Sequence, residues 1–139
     1  MAFATDTHTV SLSMPAKPEY LVLARLALSA VCRLTPLEPD QVADLKLAVT
    51  EAATYIMGGE RRSETREGSR EGAEEPPEIS YAFTIEDDRL ILEVRGVEQP
   101  TLSQEERQLG RAIIEATVDE NSFETGVVRL VKNLPPADQ

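Results

Sequence analysis
The chain has 139 residues and a net charge of −11, with no tryptophan, one cysteine and one histidine. That length suits one domain with an aliphatic core, and neither a disulfide nor a His/Cys metal cluster can be built from single copies. Residues 58–78 carry −3 of the charge and the remainder −8, so the folded part is itself acidic. It repels phosphate backbones, which argues against nucleic acid, and suits a basic protein partner.

No basic stretch followed by an apolar run opens the chain, so no signal peptide is read there. The longest apolar run, Tyr20 to Leu34, is interrupted by Arg25 and Arg33 and is too short to span a bilayer. A cytoplasmic protein is expected, with Cys32 a small core residue in a reducing compartment.

Thr7 to Met14 alternates, with His8, Val10, Leu12 and Met14 on one side. This predicts a half-buried strand, with His8 an ordinary residue near its start. Pro15 and Pro18 close it, and Pro18 can begin the next helix. From Glu19 to Leu34 the polar exceptions Arg25, Ser29 and Arg33 are spaced by four. That spacing predicts a helix with most of its circumference buried, either within the domain or partly against a second copy.

After the rigid connector Thr35–Pro39, Gln41 to Gly59 predicts the central helix. Its buried stripe is Val42, Leu45, Val49, Ala52 and Ile56, with Asp40 as N-cap and Gly58–Gly59 as the stop. Leu47, Glu51 and Tyr55 share another face. Glu51 either points to solvent or belongs to a site. Residues 58–78 hold one small apolar residue, Ala73, among mixed charges. Such a segment is expected to be a disordered loop, not a second domain.

Glu78–Glu86 and Arg89–Arg95 alternate around Asp87–Asp88 as an antiparallel hairpin. Residues 96–100 form a loop. Ser103 and Glu106 make a capping box that opens a helix to Thr117, with Leu109, Ala112, Ile113 and Ala116 inward. Val118–Glu124 and Val127–Lys132 are the last strands, turned at Thr125–Gly126. The order β-α-α-loop-β-β-α-β-β is most simply satisfied as an α+β two-layer sandwich, one sheet with three helices on a single face.

Three segments carry a family resemblance: L-A-V-T-E-A-A-T at 47–54, A-I-I-E-A-T-V-D-E at 112–120 and G-V-V-R-L-V-K at 126–132. Together they resemble the anti-sigma-factor serine kinase branch of the GHKL (Bergerat-fold, histidine-kinase-like) ATPases. The resemblance implies a mixed, mostly antiparallel five-stranded sheet and a single domain over 1–139. In that family a Glu-x-x-x-Asn helix supplies the catalytic carboxylate and the magnesium ligand. Glu51 takes the first place and Tyr55 the second, and a neutral phenol is a poor magnesium ligand.

The family's Asp-x-Gly-x-Gly adenine-reading motif falls on Gly96, Glu98 and Pro100, and its glycine-rich phosphate run is reduced to Gly110. Three altered motifs imply an anti-sigma-factor-like regulator of a bacterial partner-switching system. It would bind a sigma factor or antagonist protein, with ATP binding and kinase activity lost and no cofactor. A working serine/threonine kinase using ATP and magnesium is one alternative, and a sensor for a non-nucleotide ligand is another. A homodimer is common in the resembled family, and the apolar first helix permits one.

Overall fold
Alternation along the strands decides which side of the sheet is buried. In the computed structural model, which describes residues 8–58, 77–99 and 101–135, five strands form one sheet. They are β1 (His8–Pro15), β2 (Glu78–Glu86), β3 (Arg89–Gly96), β4 (Glu120–Glu124) and β5 (Val127–Asn133). Their order across the sheet is β1-β2-β3-β5-β4, and all four pairings are antiparallel, the fullest form of the mostly antiparallel sheet expected.

Ile79, Tyr81 and Phe83 of β2, Leu90, Leu92 and Val94 of β3, and Val128 and Leu130 of β5 are all buried. The register sets Phe83 opposite Leu92 and Leu92 opposite Leu130, so they share one face. Each such side chain contributes about 1.5–3 kcal/mol by leaving water. The other face is largely polar, apart from the buried pair Ile91 and Val131. There Thr9 and Thr84 hydroxyls meet at 3.0 Å, Ser13 and Ser80 at 2.8 Å, and Glu93 pairs with Arg95 and Arg129.

Three helices cover the apolar face: α1 (Leu21–Cys32), α2 (Pro39–Met57) and α3 (Gln104–Thr117). A 3-10 turn, Pro18–Tyr20, leads into α1 with Pro18 at its start, as the fixed φ of proline favours. The helix α2 buries Leu45, Ala48, Val49, Ala52, Ala53, Tyr55 and Ile56. Its cap differs from expectation. Glu38, not Asp40, is the N-cap, and its backbone N–H donates to Gln41 Oε1 at 2.9 Å. Pro39 becomes the first helical residue, so the helix begins two residues earlier than predicted. At its other end Gly58 has φ +85° and ψ −177°, backbone that favours glycine. A Cβ there would also overlap the Thr101 hydroxyl.

Two buried faces differ from those predicted. In α1 the buried residues are Ala24, Leu28, Val31 and Cys32, while Val22, Leu23 and Leu26 are 50%, 46% and 61% exposed. The helix packs on α2 and β2, and a two-layer architecture covers only one of its sides. In α3 the buried residues are Gly110 and Ile114. Leu109, Ala112 and Ala116, expected inward, are exposed, and Ile113 is half-buried. Glycine lets α3 approach α2 closely along that line, which rotates the apolar stripe by one position.

The capping box forms as predicted: Ser103 N–H donates to Glu106 Oε1 at 2.8 Å and Glu106 N–H to Ser103 Oγ at 3.0 Å. Cys32 is buried, and burial pushes its thiol up to about 11 against the opposing charge of Lys46. Such a thiol is inert. His8 is an exposed residue at the start of β1. Among the described residues no helix is long and apolar enough to cross a membrane. The disordered loop expected at 58–78 falls mainly on 59–76, which, with Thr7, Pro100 and Pro136, lie outside the described residues.

Candidate functional site
Helical spacing on α2 sets Glu51 and Tyr55 one turn apart, facing α3. A cleft of roughly 210 Å³ opens between the two helices, with Glu51, Tyr55 and Gly110 in its wall. A methyl group at Gly110 would stand 3.4 Å from Glu51 Oε1, so the carboxylate lies directly over the bare backbone of α3. Burial pushes the Glu51 carboxyl above its ordinary range. Gly110 is not in a loop. It lies nearly two turns inside α3, where backbone N–H groups belong to the helical ladder.

Tyr55 is 6% exposed. Its ring lies against Phe123 of β4, with centroids 4.9 Å apart and planes tilted by 55°. The Arg107 guanidinium sits over the ring, its Cζ 4.2 Å from the centroid. Arg111, one turn further along α3, covers Phe123 in the same way at 4.3 Å. Four side chains from three elements therefore form a stack of two adjoining rings with a cation at each end. Offset aromatic contact and cation–π attraction both favour this arrangement.

Glu98 completes the cluster. Its Oε2 accepts the Gly126 N–H at 3.1 Å, and its Oε1 lies 3.6 Å from Arg107 Nη2. The carboxylate thus ties the loop after β3 to both the β4–β5 turn and the stack. Gly96 and Gly126 meet closely. The Gly96 N–H donates to the Gly126 carbonyl at 3.0 Å, and a Cβ on Gly126 would come within 2.7 Å of Gly96 O. Gly126 also has φ +76°. A further bond, Gln99 N–H to the Ile56 carbonyl at 3.0 Å, lays the loop on the end of α2.

All five residues singled out from the sequence, Glu51, Tyr55, Gly96, Glu98 and Gly110, are in one neighbourhood. Glu51 and Gly110 meet in the cleft. Tyr55 joins Glu98 through Arg107, and Glu98 joins Gly96 through Gly126. Arg107, Arg111, Phe123 and Gly126 were not singled out. The four-residue spacing of the two arginines, and the alternation that turns Phe123 toward the helices, were the available signals. Among the described residues no group of three or more His, Cys, Asp or Glu side chains is gathered to hold a metal ion.

Residues 14–132 match the histidine kinase-like ATPase domain family. The chain is similar to proteins named serine-protein kinase RsbW. It is 30% identical over 114 residues to that of Bacillus licheniformis, covering 81% of this chain and 65% of the relative. It is 33% identical over 91 residues to that of Listeria monocytogenes, covering 66% and 52%. With that of Bacillus velezensis it shares 28% over 120 residues, covering 86% and 69%. The chain spans roughly half to two thirds of the length of these relatives. The resemblance carried by the central helix and the last strands is therefore one of descent, and this chain belongs to the histidine kinase-like ATPase domain family.

Proposed function
We propose that this chain is an anti-sigma-factor-like regulator of a bacterial partner-switching system, working in the cytoplasm through protein contacts, with ATP binding and kinase activity lost. The observation that carries the reading is the burial of Tyr55 between Arg107 and Phe123. The resemblance assigns that position to the magnesium-holding asparagine. Fit of the surrounding residues supports the same reading. Glu98 already accepts from Gly126 and pairs with Arg107, and Gly110 is inside a helix. The cleft, roughly 210 Å³, is below the ~300–1,000 Å³ usual for a small-molecule site.

The acidic chain suits a basic protein partner, because complementary charge speeds encounter. The exposed row Val22, Leu23 and Leu26 of α1 offers apolar surface to a partner or to a second copy in a homodimer. A working serine kinase is the second reading. It is favoured by the half-buried carboxylate of Glu51 and by the name of the relatives, serine-protein kinase. A non-nucleotide ligand sensor built on the cleft is the third.

Calorimetric titration with Mg-ATP, paired with Tyr55→Asn, separates the first two. The proposed reading expects no heat from the wild type. Micromolar binding, near −8 kcal/mol, would establish the kinase reading instead. Co-purification with a sigma factor or a switch protein checks the positive half, and recovery of neither would sink it. A ligand that raises the melting temperature by itself would favour the sensor.

A further inference from the structure
The cleft between α2 and α3 is small and is lined by apolar side chains together with the acids Glu51 and Glu106. Exposed Leu109 flanks the opening, and exposed Leu47 stands one turn before Glu51 on the same face of α2. Leu102 and Ile113 line the walls. Its volume equals about seven waters at ~30 Å³ each, room for one long side chain rather than a cofactor.

The Glu51 carboxylate makes no hydrogen bond or ion pair to any other described residue. The nearby cations are committed elsewhere: Arg107 to Tyr55 and Glu98, Arg111 to Phe123. Glu106, the second acid of the cleft, has one oxygen on the Ser103 N–H. A partly desolvated carboxylate with an apolar rim is complementary to an aliphatic stem ending in a cation.

From this geometry we propose that the cleft is an anchor pocket for an arginine side chain of a basic protein partner, its guanidinium meeting Glu51 and its stem lying along Leu109 and Leu47. The proposal rests on the reading that the cleft holds no nucleotide, and it names which part of the acidic chain grips the partner. Arginine fits better than lysine, because its planar fork can meet both carboxylate oxygens at once. Interface anchors are commonly arginines seated in such partly dry pockets.

The test uses the full chain, isotope-labelled for NMR, with a ten-residue peptide of alternating arginine and alanine. A second peptide replaces each arginine with citrulline, its neutral isostere. The expected result is shifts at the amides of Thr54, Gly110 and Ile113 with the arginine peptide and none with citrulline. Glu51→Gln should weaken binding about tenfold or more. Glu124→Gln removes one charge from the polar side of the sheet and should weaken it by less than about twofold.

Equal binding of the citrulline peptide would overturn the assignment, since no charge would be read. So would equal weakening by the two substitutions, which would mean diffuse attraction. Spermidine displacing the peptide from Glu51 at equal or lower concentration would show a site for free amines instead. The wild-type comparison of arginine with citrulline stands even if Glu51→Gln folds poorly. A silent Mg-ATP titration with a silent arginine peptide removes only this pocket, whereas Mg-ATP binding removes the reading beneath it.

Discussion

Replacing Tyr55 with alanine is the most direct probe of the stack. The ring is 6% exposed and touches Phe123 and Arg107. Truncating a large buried aromatic typically costs about 3–5 kcal/mol. One edge of Tyr55 also lines the cleft, so solvent can enter the vacated space and reduce the cavity penalty. The lower end, about 3 kcal/mol, is therefore expected. For a domain of this size that is a fall in melting temperature of roughly 6–12 °C. It is a large part of the ~5–15 kcal/mol that such a domain possesses. Tyr55→Leu keeps most of the apolar volume and loses the ring-specific contacts, so about 1–2 kcal/mol is expected. Urea denaturation followed by far-UV circular dichroism measures both. A loss below about 1 kcal/mol for Tyr55→Ala would mean that the ring is not packed between its two neighbours, and the argument for a filled site would fail with it.

Gly126→Ala should cost about 2–3 kcal/mol, because the positive φ and the contact with Gly96 O act together; a neutral effect in urea melts would refute the close approach. Ser103→Ala should cost about 1 kcal/mol through loss of the capping box, with earlier amide exchange in the first turn of α3 as its local signature. Glu51→Gln tests the sign of a burial effect. Burial raises the folded-state value of this carboxyl above its unfolded one, so ionisation opposes folding above the folded value and that opposition is relieved as pH falls through it. Glu51→Gln should therefore raise the urea midpoint at neutral pH and lose its advantage toward about pH 4; an advantage that grows on acidification would reverse the assignment. Glu106 and Arg107 face the same helix surface, and the experiment is best run in both low and moderate salt.

How much of this was legible in the chain depended on how local the signal was. The hairpin of β2 and β3 was readable because alternation over eight or nine residues has one period. The capping box at Ser103 and Glu106 was readable because both partners lie within one turn. The inward face of α3 was not. Ile113 and Ile114 are adjacent, so two apolar stripes fit the same sequence, and the choice fell to Gly110, whose lack of a side chain matters only once α2 lies beside it. The apolar composition of α1 likewise says nothing about how many of its sides the fold will cover. Glu51 and Tyr55 could be placed on one face by spacing alone. The guanidinium over Tyr55 and the ring beneath it come from segments far along the chain, brought in by strand order and helix packing.

The same long-range closure bears on the altered glycine motif. A loop that binds phosphate needs backbone N–H groups left free of other partners. A helix leaves such groups only in its first turn. In α3 that turn is served in part, since the Ser103 hydroxyl takes the Glu106 N–H and the Glu106 carboxylate takes the Ser103 N–H. Glu105 and Glu106 add two negative charges where an anion would approach, and they complement the positive end of the helix dipole themselves. Arg107, the nearest cation, is drawn toward Glu98 and over Tyr55. Building a phosphate loop at the start of α3 would thus require undoing the cap, the acidic turn and the stack together. That interdependence ties Tyr55, Glu98 and the start of α3 to one another, and under the proposed function it predicts that Tyr55→Asn alone leaves Mg-ATP unbound in calorimetry. Recovery of binding by that single substitution would show instead that the helix start and Glu98 had never been obstacles.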